Sequence, residues 1–279
     1  MSSVIAETID IITEKSPTPL EEIWIDDLVI GIFFTGVKVS TGHAGVAFTP
    51  VGEIPEAVCC PTTAARMPQA GNFERSPASE VIKYALDPNV LKSAIGVATL
   101  NALSQLIIGS GNGSEYQTVV EKDGFDLLEI QPYETVSLIG AFGPYIRRLK
   151  MMGNPFFIIE KNSQTLRLDE MKYFRSGSEL REALEKSRVL IMTGTSIVNH
   201  TIDHILSLIR NGIRAAIIGP TASMIPNAFF KRGVHIMAGV QISNPDLMIK
   251  ILKQGGSGYH LMKECGEKIA FVKKINFLP

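Results

Sequence analysis

Apolar residues Val4, Ile5, Ile9, Ile11 and Ile12 recur near the start of the chain with acids between them, the spacing of one face of an amphipathic helix. A helix is predicted over 3–15, ending before Ser16-Pro17-Thr18-Pro19, and it is expected to cover a sheet. From Glu22 to Pro50 the pattern changes to Ile, Val, Phe and Thr punctuated by Gly31, Gly36, Gly42 and Gly45, which predicts two or three antiparallel strands joined by tight turns. Within them Val37 and Val39 alternate with Lys38 and Ser40 before the turn Thr41-Gly42-His43-Ala44-Gly45. That polar tip reads either as a binding loop presenting Thr41 and His43 or as a plain glycine-rich turn. A loop over 71–77, a short helix over 78–86 and a long buried helix over 89–108 follow, the last with small residues Ala94, Gly96, Ala98 and Ala102 for close packing. Strands followed by helices make an α+β unit.

Past the glycine-rich connector 109–113 and an acidic stretch, 121–134, that carries a short helix at 125–130, the pattern becomes an alternation. Short apolar strands are predicted at 136–139, 156–159, 189–192, 215–218 and 234–240, with a last one at 269–272. Helices are predicted between them at 145–151, 178–186, 199–210, 225–231 and 244–254. Continuously apolar strands alternating with helices specify a parallel sheet covered on both faces, a Rossmann-like, doubly wound α/β domain. The boundary is set near residue 120, giving domains 1–120 and 121–279.

Composition changes this picture little. A chain of 279 residues suits two domains, and 45% hydrophobic content with a net charge of −1 offers nothing to a polyanion, so no nucleic-acid partner is expected. Val90 to Gly109 comes nearest to a membrane span, but Ser93, Thr99, Asn101, Ser104 and Gln105 interrupt it, so no membrane partner is expected either. Three cysteines, Cys59, Cys60 and Cys265, build no disulfide framework, and the start MSSVIAETID lacks an export signal; a cytoplasmic location is expected. Adjacent Cys59 and Cys60 read as structural thiols, because neighbours in sequence seldom chelate one ion together.

Ligands of a doubly wound sheet bind outside the carboxyl ends of its strands, which makes the strand ends the place to look for chemistry. They read Gly140-Ala141-Phe142-Gly143-Pro144, Glu160, Thr193-Gly194-Thr195-Ser196, Gly219-Pro220-Thr221-Ala222-Ser223 and Ala238-Gly239. Glycines with Thr and Ser hydroxyls at helix starts suit an anion, since backbone N–H groups and the helix dipole both face it. Glu160 stands 20 residues after Gly140, the separation of a ribose-binding acid, although the first loop lacks the third glycine of a dinucleotide fingerprint. His200 and His204, four apart with Asp203 between them on a predicted helix, would share a face as a weak metal pair. No nucleophile elbow, phosphate-binding P-loop or zinc spacing is present in the sequence.

The stretches TGHAGVAFTP, ATLNALSQ, VSLIGAFGPYIRRLK, IMTGTSIVNHTIDHIL and IIGPTASMIPNAFFKRGVHIMAGV together resemble the heavy-metal chelation family. The resemblance implies an enolase-N-terminal-like α+β domain joined to the Rossmann-like domain, with a ligand site in the cleft between them. It does not carry enolase activity, for which no carboxylate trio is found. The positions that fit the family's motifs are Thr41, Gly42, Gly45, Asn101, Gly140, Gly143, Gly194, Thr195, Asn199, Thr201, Gly219, Pro220 and Thr221. All of these but Gly45 and Thr201, with His43, Phe142 and Glu160 added, make up the candidate ligand site. The expected ligand is a small anion, a heavy-metal ion or a metal chelate, and a homodimer is one partner state the chain allows. The competing expectation is an enzyme that lays S-adenosylmethionine or a nucleotide across Gly140 to Gly143, with its ribose on Glu160.

Overall fold

A computed structural model of the chain describes residues 2–53, 67, 69–111 and 115–274. Cys59, Cys60 and part of the connector at 112–114 lie outside these residues. Helix α1 (Val4–Lys15) starts where predicted because the Ser3 hydroxyl accepts the Ala6 N–H at 3.1 Å and caps it. Its buried residues Val4, Ile5 and Ile12 pack on helices, including the long one at 90–109, rather than on the expected sheet. Strands β1 (Ile25–Ile30), β2 (Phe34–Val39) and β3 (Ala44–Phe48) form an antiparallel sheet in that order. A helical turn at Ala78–Val81 runs into a tighter one at Ile82–Leu86, and then α2 (Val90–Gly109) begins, its N-terminus capped by the Asn89 side chain.

Helix α2 is long and apolar enough to cross a membrane by length and composition, yet 78% of its most apolar window is buried inside the fold. It lies on the small sheet so closely that a Cβ on Gly45 would sit 2.4 Å from the Ala98 carbonyl oxygen and 2.4 Å from the Ala102 nitrogen. On its other side a Cβ on Gly96 would stand 1.9 Å from the Ala85 nitrogen. These glycines are where two backbones meet, and no side chain can be inserted without separating them.

The second sheet holds β4 (Tyr116–Val120), β5 (Val136–Ile139), β6 (Phe156–Ile159), β7 (Phe174–Arg175), β8 (Val189–Thr193), β9 (Arg214–Ile218), β10 (Val234–Ile242) and β11 (Gly266–Lys273). Its spatial order is β4-β11-β10-β9-β8-β5-β6-β7, so it begins with residues ahead of position 121. From β10 to β7 neighbouring strands are parallel, while β11 and β4 join antiparallel to what precedes them. The alternation expected through 269–272 therefore ends in a strand of opposite direction. In β8, Leu190 and Met192 face one core while Val189 and Ile191 face another, which is why the strand is apolar from Val189 to Met192.

The connecting helices are α3 (Gly143–Met152), α4 (Leu180–Lys186), α5 (Thr195–Val198), α6 (Ile202–Ser207), α7 (Asn227–Lys231), α8 (Pro245–Lys253) and α9 (Gly258–Glu264). The single helix predicted over 199–210 is instead interrupted, because His200 adopts φ +59° and Asn199 turns its side chain onto the Thr201 N–H and hydroxyl. Helix α8 covers the outer face of the small sheet, where Gly36 leaves room for Leu252 and Lys38 pairs with Asp246 at 2.8 Å. The small sheet is thereby held between α2 and α8.

One ion pair anchors the base of the large sheet. The buried Glu134 carboxylate takes both Arg214 guanidinium nitrogens, at 2.9 and 2.6 Å, and the arginine holds the Glu134 carboxyl below its ordinary pKa. A lowered folded-state pKa gives stability that is present above the ordinary glutamate value and lost as pH falls through the folded one. Urea unfolding between pH 7 and pH 3 should show a steeper acid loss for wild type than for Glu134→Gln, and parallel pH profiles would contradict the assignment.

Candidate functional site

Counting β5 as the first parallel strand, the order across the sheet is 3-2-1-4-5-6, and direction of travel reverses between β5 and β8. At such a switch point the chain leaves the two strand ends in opposite directions and a crevice opens between them. Strand β5 runs into Gly140 at φ +103°, and α3 starts at Gly143 with Pro144 in its first turn. Thr193 closes β8 opposite. A Cβ on Gly140 would lie 3.0 Å from the Thr193 methyl carbon and 3.7 Å from the ring edge of Phe142, so glycine is what allows the two loops to meet.

The groups around this crevice are organised by short bonds. Glu160, just past the end of β6, accepts the Ala141 N–H at 3.0 Å on one oxygen and the Lys161 N–H at 2.7 Å on the other. The Thr193 hydroxyl donates to Thr195 Oγ1 at 3.1 Å, and Ser196 Oγ donates to the Thr193 carbonyl at 2.7 Å. Gly140, Phe142, Gly143, Glu160, Thr193, Thr195, Asn199, Gly219 and Pro220 are each half-buried, and Ala141 is exposed. Gly194 is buried, for a Cβ there would meet the Thr221 Cβ at 2.9 Å.

Two other candidates do different work. Asn101 is 0% exposed and Thr221 2% exposed. Asn101 Nδ2 donates to the carbonyls of Val46 at 2.7 Å and Thr221 at 3.0 Å, while Thr221 Oγ1 accepts the Phe48 N–H at 2.9 Å. On the same face of α2, Ser104 Oγ accepts the Ile225 N–H at 3.1 Å, and Gln105 bonds the Val240 carbonyl and the Ile242 N–H, both at 3.4 Å. The motif ATLNALSQ is thus a polar seam that fastens α2 to the loops of the large sheet. Sequence reading singled out Asn101 but had no signal for Ser104 and Gln105, whose partners lie more than a hundred residues away.

The hairpin tip is ordered by its own turn. Gly42 takes φ +80° to make the turn, and Thr41 Oγ1 lies 3.0 Å from His43 Nδ1, whose burial pushes the imidazole pKa down. Phe48, the residue of β3 that touches Thr221, is roughly 17 Å farther along the strand from His43. The histidine pair is not brought together on one helix face. His200 lies outside α6 with Nε2 2.9 Å from the Asp87 carbonyl oxygen, and Asp203 accepts the Val4 N–H at 2.8 Å, holding the start of α1. Among the described residues no group of three or more His, Cys, Asp and Glu side chains is placed to hold a metal ion.

Comparison with known proteins follows the same division. Residues 123–271 match the DUF364 family and residues 15–104 match DUF4213, both described as "Putative heavy-metal chelation". A DUF364 protein of unknown function from Pyrococcus horikoshii is 23% identical, with 97% of this chain and 100% of that chain covered at a TM-score of 0.76. One from Desulfitobacterium hafniense is 19% identical over 97% of this chain and 98% of that chain, with a TM-score of 0.71. These likenesses show the fold. An uncharacterized protein of Methanocaldococcus jannaschii is 26% identical over 179 residues, which span 64% of this chain and 65% of that relative's length.

Proposed function

This chain belongs to the DUF364 family, described as putative heavy-metal chelation, and from that premise we propose that it binds a small carboxylate-bearing metal chelator, metal included, at the carboxyl edge of the large sheet. The observation that carries the reading is the switch point between β5 and β8, where the Gly140 loop, the Thr193 and Thr195 hydroxyls and the start of the ten-residue helix α3 converge half-buried. Hydroxyl donors and the positive end of a helix dipole suit carboxylate oxygens. The described residues supply anion-binding groups rather than a ligand set, so the small molecule supplies the metal's inner shell. The bond from the Phe48 N–H to Thr221 supports a site bordered by the end of the small sheet.

Calorimetric titration with Ni, Co, Zn and Fe(II) ions, each alone and with nitrilotriacetate, tests this reading. Saturable heat is expected with the metal chelate, and Thr195→Val should weaken it about tenfold by removing one charge-assisted hydrogen bond. Flat titrations throughout would reject the reading.

One observation favours a second reading, an enzyme that uses S-adenosylmethionine or a nucleotide. The 3-2-1-4-5-6 order is that of dinucleotide-binding sheets, and Glu160 ends the strand from which a ribose would be held. Against it, both Glu160 oxygens bond backbone N–H groups, and the Thr193 methyl and the Phe142 ring lie against Gly140, where a pyrophosphate needs close approach. Saturable binding of S-adenosylmethionine or NAD that disappears in Glu160→Ala would replace the first reading with this one.

A further inference from the structure

Phe142 belongs to a set of packed rings that ends at the crevice. Its ring stacks on Tyr145 with centroids 5.3 Å apart and an interplanar angle of 24°. Tyr145 also contacts Phe125 at 5.0 Å, and the Arg148 guanidinium lies 4.1 Å from the Phe125 centroid. The tyrosine is fixed at both ends. Its ring is buried, and its hydroxyl donates to Asp123 Oδ1 at 2.7 Å. Burial works against the Asp123 carboxylate, but bonds from Tyr145, the Phe125 N–H at 3.0 Å and Lys268 at 3.1 Å hold its pKa below the ordinary value.

The result is a floor whose conformational freedom is already lost on folding, topped by a half-buried phenylalanine. Phe142 Cε2 reaches within 3.7 Å of the position a Gly140 Cβ would take, so the ring edge borders the loop at the switch point. One helical turn on, exposed Arg147 brings Nη1 within 3.7 Å of the corresponding position on Gly143. An aromatic ring and a guanidinium therefore both stand at the start of α3, next to the Gly140–Gly143 loop.

The geometry points to a planar aromatic anion as the ligand class of this site, its ring stacked on Phe142 and its carboxylate on Arg147. This rests on the reading that the site binds a small chelator, and narrows it. Offset stacking contributes beyond the area it buries, whereas a saturated ring of the same size gains only the area. Arg147 suits a carboxylate because its planar fork can donate two parallel hydrogen bonds.

The probes are salicylate and its saturated counterpart, 2-hydroxycyclohexanecarboxylate, which as free ions carry the same charge and each set a hydroxyl beside the carboxylate. Each is titrated with and without Zn into wild type, Phe142→Ala, Phe142→Trp and Arg147→Gln, with amide chemical shifts at Gly140 and Thr195 locating the binding. Wild type should bind salicylate about fivefold more tightly than the saturated ring, a preference lost in Phe142→Ala and kept in Phe142→Trp. Arg147→Gln should weaken both probes. Equal binding of the two rings by wild type would overturn this inference while leaving the chelator reading standing. A preference that survives in Phe142→Ala would overturn it too, as would no binding of either probe, while the nitrilotriacetate titrations decide the chelator reading separately.

Discussion

Replacing Gly45 by alanine should lower the free energy of unfolding by about 3 kcal/mol, seen as a fall in thermal midpoint of roughly 6–12 °C. The added carbon would stand 2.4 Å from two backbone atoms of α2 and 2.7 Å from the Asn101 Cβ, and none of these is the free end of a flexible side chain. Strand β3 must lift away from α2, loosening the Phe48 bond to Thr221 and with it the border of the candidate site. Gly42→Ala is the control. It meets open space and carries only the strain of φ +80°, about 1 kcal/mol. Equal stability of the two variants would show that the contact between strand and helix is not what requires glycine.

Asn101→Asp should cost about 3–5 kcal/mol at pH 7, the scale of an uncompensated buried charge. The shape is kept, but both donors to the Val46 and Thr221 carbonyls are lost and a carboxylate is set facing them. Burial raises the folded-state pKa of such a carboxyl above its unfolded value, so the charge penalty is absent below about pH 4 and grows as pH rises toward the folded pKa, by about 1.4 kcal/mol for each unit of difference. Asn101→Leu also loses the two bonds, but without pH dependence. Urea titrations of the three proteins at pH 4, 5.5 and 7 separate these cases. A pH-independent aspartate variant with weakened ligand binding would mean that Asn101 faces a ligand rather than latching the two sheets together.

The parts of the fold readable from sequence are those whose signal is local. The strands at 136–139, 156–159 and 189–193 are apolar apart from Ser137 and Thr193 because each is covered on both faces. Tyr116–Val120 and Phe174–Arg175 escape notice because an edge strand with a wet face has little apolar content to reveal it. The helix predicted through His200 breaks on hydrogen bonds from Thr201 to the Asn199 side chain that compete with helical ones, so the spacing of His200 and His204 carries no shared face. At the site, the loops at Gly140 and Thr195 are legible as strand ends. Whether a polar residue there faces outward or is spent on packing depends on partners far away in the chain, as Thr221 and Asn101 show.

Gln105 waits for Ile242, 137 residues later in the chain. At synthesis rates of about 5–20 residues per second, that partner emerges roughly 7–27 seconds after Gln105 itself. Throughout that interval the ribosome-bound chain carries a helix apolar enough to pass for a membrane span, with its bonds to the large sheet still unmade. The nascent protein should therefore fold in higher yield where such segments are shielded. Its yield should depend on how fast the second half is translated as well as on how stable the finished molecule is.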